Sequence, residues 1–153
     1  MTGSGRIGVI GAGTMGHGIA QVAAQSGLEV TLVDVVPEAL ERGLGKIGKG
    51  LDRLLAKEKI TEEDHRQALG RLTTSTKLED VAACGLVVEA VVEKYDIKAQ
   101  VLGELDRVCN AETILATNTS SISITRLTAQ TGRADKVIGM HFMNPVPLMK
   151  LVE

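Results

Sequence analysis

A turn with three glycines, G-A-G-T-M-G at residues 11–16, constrains the fold of this chain more than any other feature of its sequence. The β-branched run Arg6–Ile10 directly before the turn is typical of a buried strand. After the turn, residues 15–25 carry apolar side chains at helical spacing, and Gly27 is suited to end that helix. A strand, a G-x-G-x-x-G turn and a helix in this order are typical of a βαβ unit that binds a dinucleotide.

Each glycine of the turn has its own physical task. Gly11 permits the tight turn, Gly13 lets the backbone approach a pyrophosphate, and Gly16 lets the helix pack closely against the strand. The free N–H groups at the start of the helix then attract phosphate. The alternative is a glycine-rich turn that binds no ligand, because the motif by itself is weak evidence.

An acidic residue in the expected place strengthens the nucleotide interpretation. Asp34 lies 23 residues after Gly11, at the end of a second predicted strand, residues 30–33. A carboxylate there can accept hydrogen bonds from both ribose hydroxyls and would repel a 2′-phosphate, so NAD is favoured over NADP. The predicted cofactor-binding residues on this side are Gly11, Ala12, Gly13, Thr14, Met15, Gly16 and Asp34.

The rest of the chain alternates between strand and helix patterns. An amphipathic stripe after Pro37 predicts a long helix, and Thr61 with Asp64 forms a capping-box pattern that begins another. This alternation predicts an α/β fold of the Rossmann type: a doubly wound, mostly parallel sheet with helices on both faces and a helical hairpin inserted after the second strand. We expect a single domain over residues 1–153. The further predicted strands are residues 72–75, 86–92, 113–117 and 137–140, and the further predicted helices lie near 96–108 and 122–130.

The composition argues against several classes of function. Seventeen Lys and Arg against nineteen Asp and Glu give a net charge of −2, which argues against nucleic-acid binding and against a polybasic membrane surface. Residues 7–28 carry no formal charge, but their six glycines and several polar side chains argue against a membrane span. Cys84 and Cys109 fit neither a disulfide framework nor a metal site, so we expect reduced thiols, no metal and a cytoplasmic protein.

A histidine follows the last predicted strand, in the segment M-H-F-M-N-P-V-P. This places His141 at a carboxyl end of the sheet, where open α/β sheets bind ligands. Pro145 and Pro147 exclude a helix, so residues 148–153 continue as extended chain or fold back. Folding back would bring Glu153 against the imidazole, and a histidine oriented by a carboxylate is a common general base. The alternative is a structural histidine that caps the end of a strand.

Four segments together resemble one enzyme family. They are I-G-V-I-G-A-G-T-M-G at 7–16, L-V-V-E-A-V-V-E at 86–93, A-T-N-T-S-S-I-S-I-T at 116–125 and V-I-G-M-H-F-M-N-P-V-P-L-M-K-L-V-E at 137–153. The chain resembles the N-terminal NAD-binding domain of the L-3-hydroxyacyl-CoA dehydrogenases, and among them the bacterial 3-hydroxybutyryl-CoA dehydrogenases most. The resemblance implies an oxidoreductase of fatty acid and butanoate metabolism. Its reaction would be the reversible oxidation of L-3-hydroxyacyl-CoA, such as 3-hydroxybutyryl-CoA, to 3-ketoacyl-CoA by NAD.

The resemblance also implies roles for single residues near the reacting atoms. His141 matches the family's general acid/base, and Glu153 matches the carboxylate that orients it. Ser120 matches the serine that bonds the substrate oxygen and lies close to both ligands, and Asn144 matches an asparagine near the nicotinamide. Without the resemblance, Ser120 would be interpreted as an ordinary turn residue.

Three charged residues match family positions that contact the ligands. Glu93 and Lys98 match positions on the nicotinamide side of the cofactor, and Lys57 matches a lysine proposed to reach the phosphates of coenzyme A. Glu93 has a simpler alternative as an acid that complements a helix N-terminus. The alternative for Lys57 is an ordinary solvent-exposed lysine on a basic helix face that contacts no phosphate.

The resemblance extends to assembly. Members of the family have a helical C-terminal domain that supplies most of the dimer interface and part of the acyl site, and that domain is absent from this chain. The mostly apolar run at 148–152 stops at Glu153 without a cap or a polar tail, so we expect these residues to belong to a larger protein. The expected partners are therefore an acyl-CoA substrate and a second copy of the full-length protein. Residues 1–153 alone are expected to turn over acyl-CoA poorly.

Two other functions stay open at this point. One is a nucleotide-binding or structural module of the same family without turnover. The other is a related NAD-dependent hydroxyacid dehydrogenase that shares the G-A-G-T-M-G turn. We expect the pocket that sets the preferred acyl chain length to lie largely in the C-terminal domain of the family.

Overall fold

Short runs of β-branched residues form a six-stranded sheet in which all neighbouring strands are parallel. The computed structural model describes residues 5–153, so the first four residues of the predicted domain lie outside the described part. The strands are β1 (Arg6–Ile10), β2 (Glu29–Val33), β3 (Leu72–Ser75), β4 (Leu86–Glu89), β5 (Ile114–Thr117) and β6 (Val137–Gly139). Their order is β3-β2-β1-β4-β5-β6, in which the direction of progression reverses between β1 and β4. The predicted doubly wound Rossmann-type sheet is confirmed.

Within residues 5–153, five α-helices cover the two faces of this sheet. The longest begins at Pro37, whose fixed φ suits the first helical position, and it forms a hairpin with the helix that follows. The predicted capping box at the start of that second helix is present: Asp64 N–H donates to Thr61 Oγ1 at 3.0 Å, and Thr61 N–H donates back to Asp64 Oδ2 at 2.9 Å. The helices are α1 (Thr14–Gln25), α2 (Pro37–Ala56), α3 (Glu62–Gly70), α4 (Tyr95–Val108) and α5 (Ile124–Thr128).

The apolar residues of the strands divide between two aliphatic clusters. One lies under α1 and α2 and includes Val88 and Ile47, and the other lies under α4 and α5 and includes Val87 and Leu105. Adjacent residues of a strand point to opposite faces, so neighbours such as Val87 and Val88 belong to different clusters. Both faces of β4 are therefore buried, which explains its uninterrupted apolar run.

The two cysteines are free and buried, as the sequence predicts. Both contribute to the second cluster. Burial raises the pKa of the Cys84 thiol, and it raises the pKa of Cys109 to about 11. Two protonated, buried thiols act here as small apolar side chains.

Two predicted elements are shorter than expected by three residues or more, and the strands predicted at 113–117 and 137–140 are each one residue shorter. The strand predicted at 86–92 ends at Glu89. Ala90 N–H still donates to Ile10 O of the neighbouring strand, but Val91 N–H donates to the Glu89 side chain at 2.8 Å instead. The apolar residues Ala90, Val91 and Val92 therefore lie after the end of the strand. The helix predicted at 122–130 is α5 alone, which begins after Ser123, whose Oγ accepts from the backbone of Arg126. Two short 3-10 helices, Leu78–Val81 and Ala134–Lys136, were not predicted.

After β6 the chain reverses direction and returns to the same edge. Phe142 and Val152 form an antiparallel bridge, so the fold-back predicted as one of two options is the one observed. The Asn144–Pro145 peptide bond within the reversal is cis. None of the helices described within residues 5–153 combines the length and the apolar character that a bilayer crossing requires.

Candidate functional site

The carboxyl ends of five adjacent strands carry the predicted site residues. Across the sheet, Asp34 follows β2, the glycine turn follows β1, Glu93 follows β4, Ser120 follows β5 and His141 follows β6. Adjacent strands lie about 4.8 Å apart, so the row extends over roughly 19 Å of one sheet edge. We call Asp34 with the glycine turn the nucleotide half, and Glu93, Ser120 and His141 the reaction half.

The glycine turn has the geometry that the motif requires. Gly11 has a φ of +99°, in the left-handed region that favours glycine, and its N–H donates to Val33 O at 2.7 Å. A Cβ on Gly16 would lie 1.6 Å from the carbonyl oxygen of Gly11, so only glycine lets α1 approach β1 this closely. A Cβ on Gly13 would meet open space, which leaves the backbone accessible to a ligand.

The start of α1 is open toward the same cleft. Its N-cap residue is Gly13, which supplies no side-chain cap, and no acidic residue lies in the first turn. The first N–H groups of a helix have no partner within the helix, so those near Thr14 and Met15 are available to phosphate oxygens.

Asp34 is fixed by two backbone donors from the surrounding loops. Ala12 N–H donates to Oδ2 at 2.9 Å, and Val36 N–H donates to Oδ1 at 3.0 Å. Each carboxylate oxygen can accept a second hydrogen bond, so the half-buried side chain keeps acceptor capacity for two ribose hydroxyls. Val35 beside it is 80% exposed, and neither Val35 nor Val36 could receive a 2′-phosphate.

A cleft of about 600 Å³ joins Asp34 to the glycine turn. Its far wall is apolar and includes Val92, Ile97 and Val101 from the β4–α4 region. A cleft of this kind, with apolar walls, a carboxylate at one end and a glycine turn at its base, fits an adenosine diphosphate moiety. The residues present therefore fit NAD.

His141 and Glu153 are brought together by the fold-back after β6. Nδ1 of His141 lies 3.3 Å from Glu153 Oε2. A carboxylate on this nitrogen favours the tautomer with the proton on Nδ1, which leaves Nε2 as a free base. The imidazole is about 27% exposed and the carboxylate about 75% exposed.

Asn118, a residue with no predicted role in the site, holds this segment in place. Its Oδ1 accepts from Phe142 N–H at 2.9 Å, directly after His141. Its own N–H donates to Glu89 O. The polar N-T-S-S run after an apolar strand indicates that Asn118 lies at the edge of the sheet. The sequence does not identify Phe142 as the hydrogen-bond partner of Asn118, because that contact depends on which strands are neighbours.

Ser120 and Glu93 contact each other across the ends of β4 and β5. Glu93 Oε2 accepts from Ser120 N–H at 3.0 Å and from Ser120 Oγ at 3.1 Å, and Oε1 accepts from Thr119 Oγ1 at 2.5 Å. Partial burial opposes ionisation of Glu93. The hydrogen bonds from Ser120 and Thr119, with the nearby charge of Lys98, outweigh burial and hold the pKa of Glu93 below its usual range.

Lys98 lies beneath Glu93 rather than at the surface. Its side chain is 2% exposed, and its Nζ lies 2.7 Å from Glu89 Oε1 and 3.9 Å from Glu93 Oε1. Glu89 is not among the predicted site residues. An acidic residue within the apolar run L-V-V-E was the available signal.

Two predicted site residues stand apart from these contacts. Asn144 is exposed in the reversal after His141. Lys57 is exposed at the C-cap of α2, on the helical hairpin, and within residues 5–153 no hydrogen bond joins it to the reaction half. Within residues 5–153, no group of three or more His, Cys, Asp or Glu side chains is arranged to hold a metal ion.

Comparison with known proteins identifies this arrangement. Residues 6–153 match the family model described as 3-hydroxyacyl-CoA dehydrogenase, NAD binding domain. The chain is 51% identical over 148 residues to 3-hydroxybutyryl-CoA dehydrogenase of Bradyrhizobium diazoefficiens, covering 97% of this chain and 50% of that protein. It is 44% identical to 3-hydroxyadipyl-CoA dehydrogenase of Escherichia coli, covering 96% of this chain and 31% of the relative.

A solved structure shares the fold closely. The (S)-3-hydroxybutyryl-CoA dehydrogenase of Ralstonia eutropha superposes with a TM-score of 0.94 at 50% identity, covering 96% of this chain and 52% of that one. The chain thus spans about half the length of this structure and of the Bradyrhizobium relative. With its glycine turn, Asp34 and the matched residues 6–153, the chain belongs to the 3-hydroxyacyl-CoA dehydrogenase family, as its NAD-binding domain.

Proposed function

We propose that the full-length protein reversibly oxidises L-3-hydroxyacyl-CoA to 3-ketoacyl-CoA with NAD. The observation that carries the proposal is the contact between His141 and Glu153, 3.3 Å apart, on the sheet edge that also carries Asp34 and the glycine turn. A base beside a nucleotide site is what a dehydrogenase of alcohols requires.

In the direction of oxidation, Nε2 of His141 accepts the proton of the substrate's 3-hydroxyl group. Glu153 on Nδ1 orients the ring and stabilises the imidazolium that forms. When bound, NAD supplies the acceptor for the hydride that leaves C3. In the direction of reduction, the His141 imidazolium returns its proton to the oxygen at C3.

In this proposal the Ser120 hydroxyl turns from Glu93 to donate to the substrate oxygen, while the hydrogen bond from Ser120 N–H to Glu93 keeps the residue in place. We assign Glu93, Lys98 and Asn144 to the nicotinamide side, where the buried Lys98 would act through Glu93, 3.9 Å from its Nζ. We assign the phosphates of coenzyme A to Lys57, which is exposed on the helical hairpin. The support for these assignments is the match to the family's motifs.

Location and assembly are part of the same proposal. The two free, buried thiols support a reducing compartment, and we place the enzyme in the cytoplasm. We propose a homodimer formed mainly by a helical C-terminal domain, which the family resemblance implies. The apolar side chains of Ile138, Leu148 and Leu151 are exposed beside the reaction half. Their exposure supports the proposal that a further domain covers this surface in the full-length protein.

The test is a substrate panel on the full-length protein. We expect NADH-dependent reduction of acetoacetyl-CoA, with NADPH much less effective and free acetoacetate not reduced. Reduction of free acetoacetate at a comparable rate would favour a hydroxyacid dehydrogenase. Tight NADH binding without turnover of any acyl-CoA would favour a nucleotide-binding or structural module.

A further inference from the structure

Two buried side chains of opposite charge lie beneath the reaction half. Glu89 is 0% exposed and Lys98 is 2% exposed, and the ion pair between them measures 2.7 Å. A buried ion pair is weak evidence for stability, because desolvation offsets most of its attraction. The arrangement of its hydrogen bonds therefore needs another explanation.

The Glu89 carboxylate connects three segments of the chain. Oε1 accepts from Lys98 Nζ in α4 and from Val91 N–H in the following loop, at 2.7 and 2.8 Å. Oε2 accepts from Thr117 Oγ1 at the end of β5, at 2.7 Å. Lys98 Nζ also donates to Val91 O at 3.2 Å. Val91, in the loop after β4, is thus fixed through both its backbone N–H and its backbone carbonyl.

The Thr117 hydroxyl extends this connection to the turn that carries Ser120. Thr119 N–H donates to Thr117 Oγ1 at 3.3 Å, and Thr119 Oγ1 donates to Glu93. Glu93 then accepts both polar hydrogens of Ser120. An unbroken series of hydrogen bonds runs from the buried Glu89 to the exposed Ser120.

We propose that Glu89, acting through Thr117, is a positioning residue that holds Glu93 and Ser120 in place for the nicotinamide end of the cofactor. The inference rests on the proposed function. An ionised carboxylate accepts on both oxygens, so Glu89 bonds Thr117 through one and Val91 and Lys98 through the other. Within residues 5–153, these side-chain hydrogen bonds do not include Asp34, whose carboxylate has its own partners in Ala12 and Val36.

The experiment removes the Thr117 hydroxyl and compares two ligands in the full-length protein. Thr117→Val keeps the size and β-branching of the side chain, and Thr117→Ser restores the hydroxyl. Thr113→Val is the matched control: Thr113 lies just before β5, is 2% exposed, and donates its hydroxyl to Cys84 O at 2.7 Å. The ligands are NADH and ADP-ribose, which lacks the nicotinamide.

We expect Thr117→Val to weaken NADH binding about tenfold, the effect of one hydrogen bond to a charged group, and to change ADP-ribose affinity less than about twofold. Thr117→Ser and Thr113→Val should each bind both ligands like the wild type. If Thr117→Val does not fold, Thr117→Ala is measured in the same way.

Unchanged NADH affinity in Thr117→Val, or an equal loss for both ligands, would overturn the inference. Failure of Thr117→Ser to restore binding would also overturn it. A wild-type protein that binds neither ligand would instead contradict the proposed function, so the two failures are distinguishable.

Discussion

His141 and Glu153 are paired through both their backbones and their side chains. His141 N–H donates to Glu153 O at 2.8 Å, Glu153 N–H donates to His141 O at 2.9 Å, and Nδ1 of the ring lies 3.3 Å from Oε2. The two backbone hydrogen bonds fix the distance between the residues. The carboxylate therefore meets the imidazole without depending on a flexible loop.

Removal of the Glu153 charge should slow the reaction less than removal of the imidazole. Glu153→Gln can keep the backbone pairing, but it loses a charge-assisted hydrogen bond, which corresponds to a rate loss of about tenfold or more. We also expect a changed pH dependence of hydroxyacyl-CoA oxidation. Steady-state rates of the full-length protein over a pH series check this, with Lys150→Gln as a control for a charge near Glu153. A rate and pH profile like the wild type would remove Glu153 from the mechanism.

Asp34 should decide the choice between NADH and NADPH. Asp34→Ala removes the acceptor for the ribose hydroxyls and the charge that repels a 2′-phosphate, so NADH affinity should fall about tenfold or more while NADPH loses little. Titration of both nucleotides measures this. Glu38→Ala, which removes an exposed charge from the first turn of α2, controls for long-range electrostatics. Unchanged NADH affinity in Asp34→Ala would place the ribose elsewhere.

Gly16 should tolerate no side chain. Its added Cβ would lie 1.6 Å from Gly11 O, so Gly16→Ala should separate α1 from β1, abolish NADH binding and lower the free energy of unfolding by about 3 kcal/mol or more. Gly45→Ala is the matched control, because its Cβ meets open space on α2 and alanine favours a helix. The measurements are urea unfolding and NADH titration. If Gly16→Ala binds NADH normally, the close approach is not required.

Asp106 and Arg133 should make stability depend on pH. The Gly132 N–H donates to Asp106 at 2.8 Å and Arg133 Nε donates at 2.6 Å, and these bonds hold the pKa of Asp106 below its ordinary value of 3.8 despite partial burial. The stabilisation is present above that value and is lost as the pH falls through the lower, folded-state pKa.

Asp106→Asn should therefore lower the free energy of unfolding at pH 7 by about 1.5–3 kcal/mol, and by less at pH values near 3. Urea unfolding at both pH values measures the difference, and Asp135→Asn, at an exposed position, is the control. An equal effect of Asp106→Asn at both pH values would contradict the assignment to an ionised carboxylate.

The sequence predicts the parts of this molecule that depend on neighbours along the chain. The glycine turn, Asp34 and the Thr61–Asp64 capping box each lie within a segment whose pattern carries its own geometry. The stripe after Pro37 likewise predicts α2. The order of the strands follows from the doubly wound pattern, which brings Ser120 and His141 to one edge.

Contacts between distant segments could not be predicted in the same way. The Asn118–Phe142 and Glu89–Thr117 hydrogen bonds join residues 24 and 28 positions apart, and they exist only because β4, β5 and β6 are neighbours. The sequence predicts that β4 continues to residue 92, three residues beyond its end at Glu89, because Val91 and Val92 continue its apolar pattern outside the sheet. The side-chain acceptor that ends the strand is Glu89 itself.

The decisive measurement is the effect of His141→Gln on the full-length protein, with rate and cofactor affinity determined on the same preparation. We expect acetoacetyl-CoA reduction by NADH to slow about 10²–10⁴-fold, the usual contribution of general acid–base catalysis, while the NADH dissociation constant stays within about twofold of the wild type. Near-normal turnover in His141→Gln would show that this histidine does not move the proton.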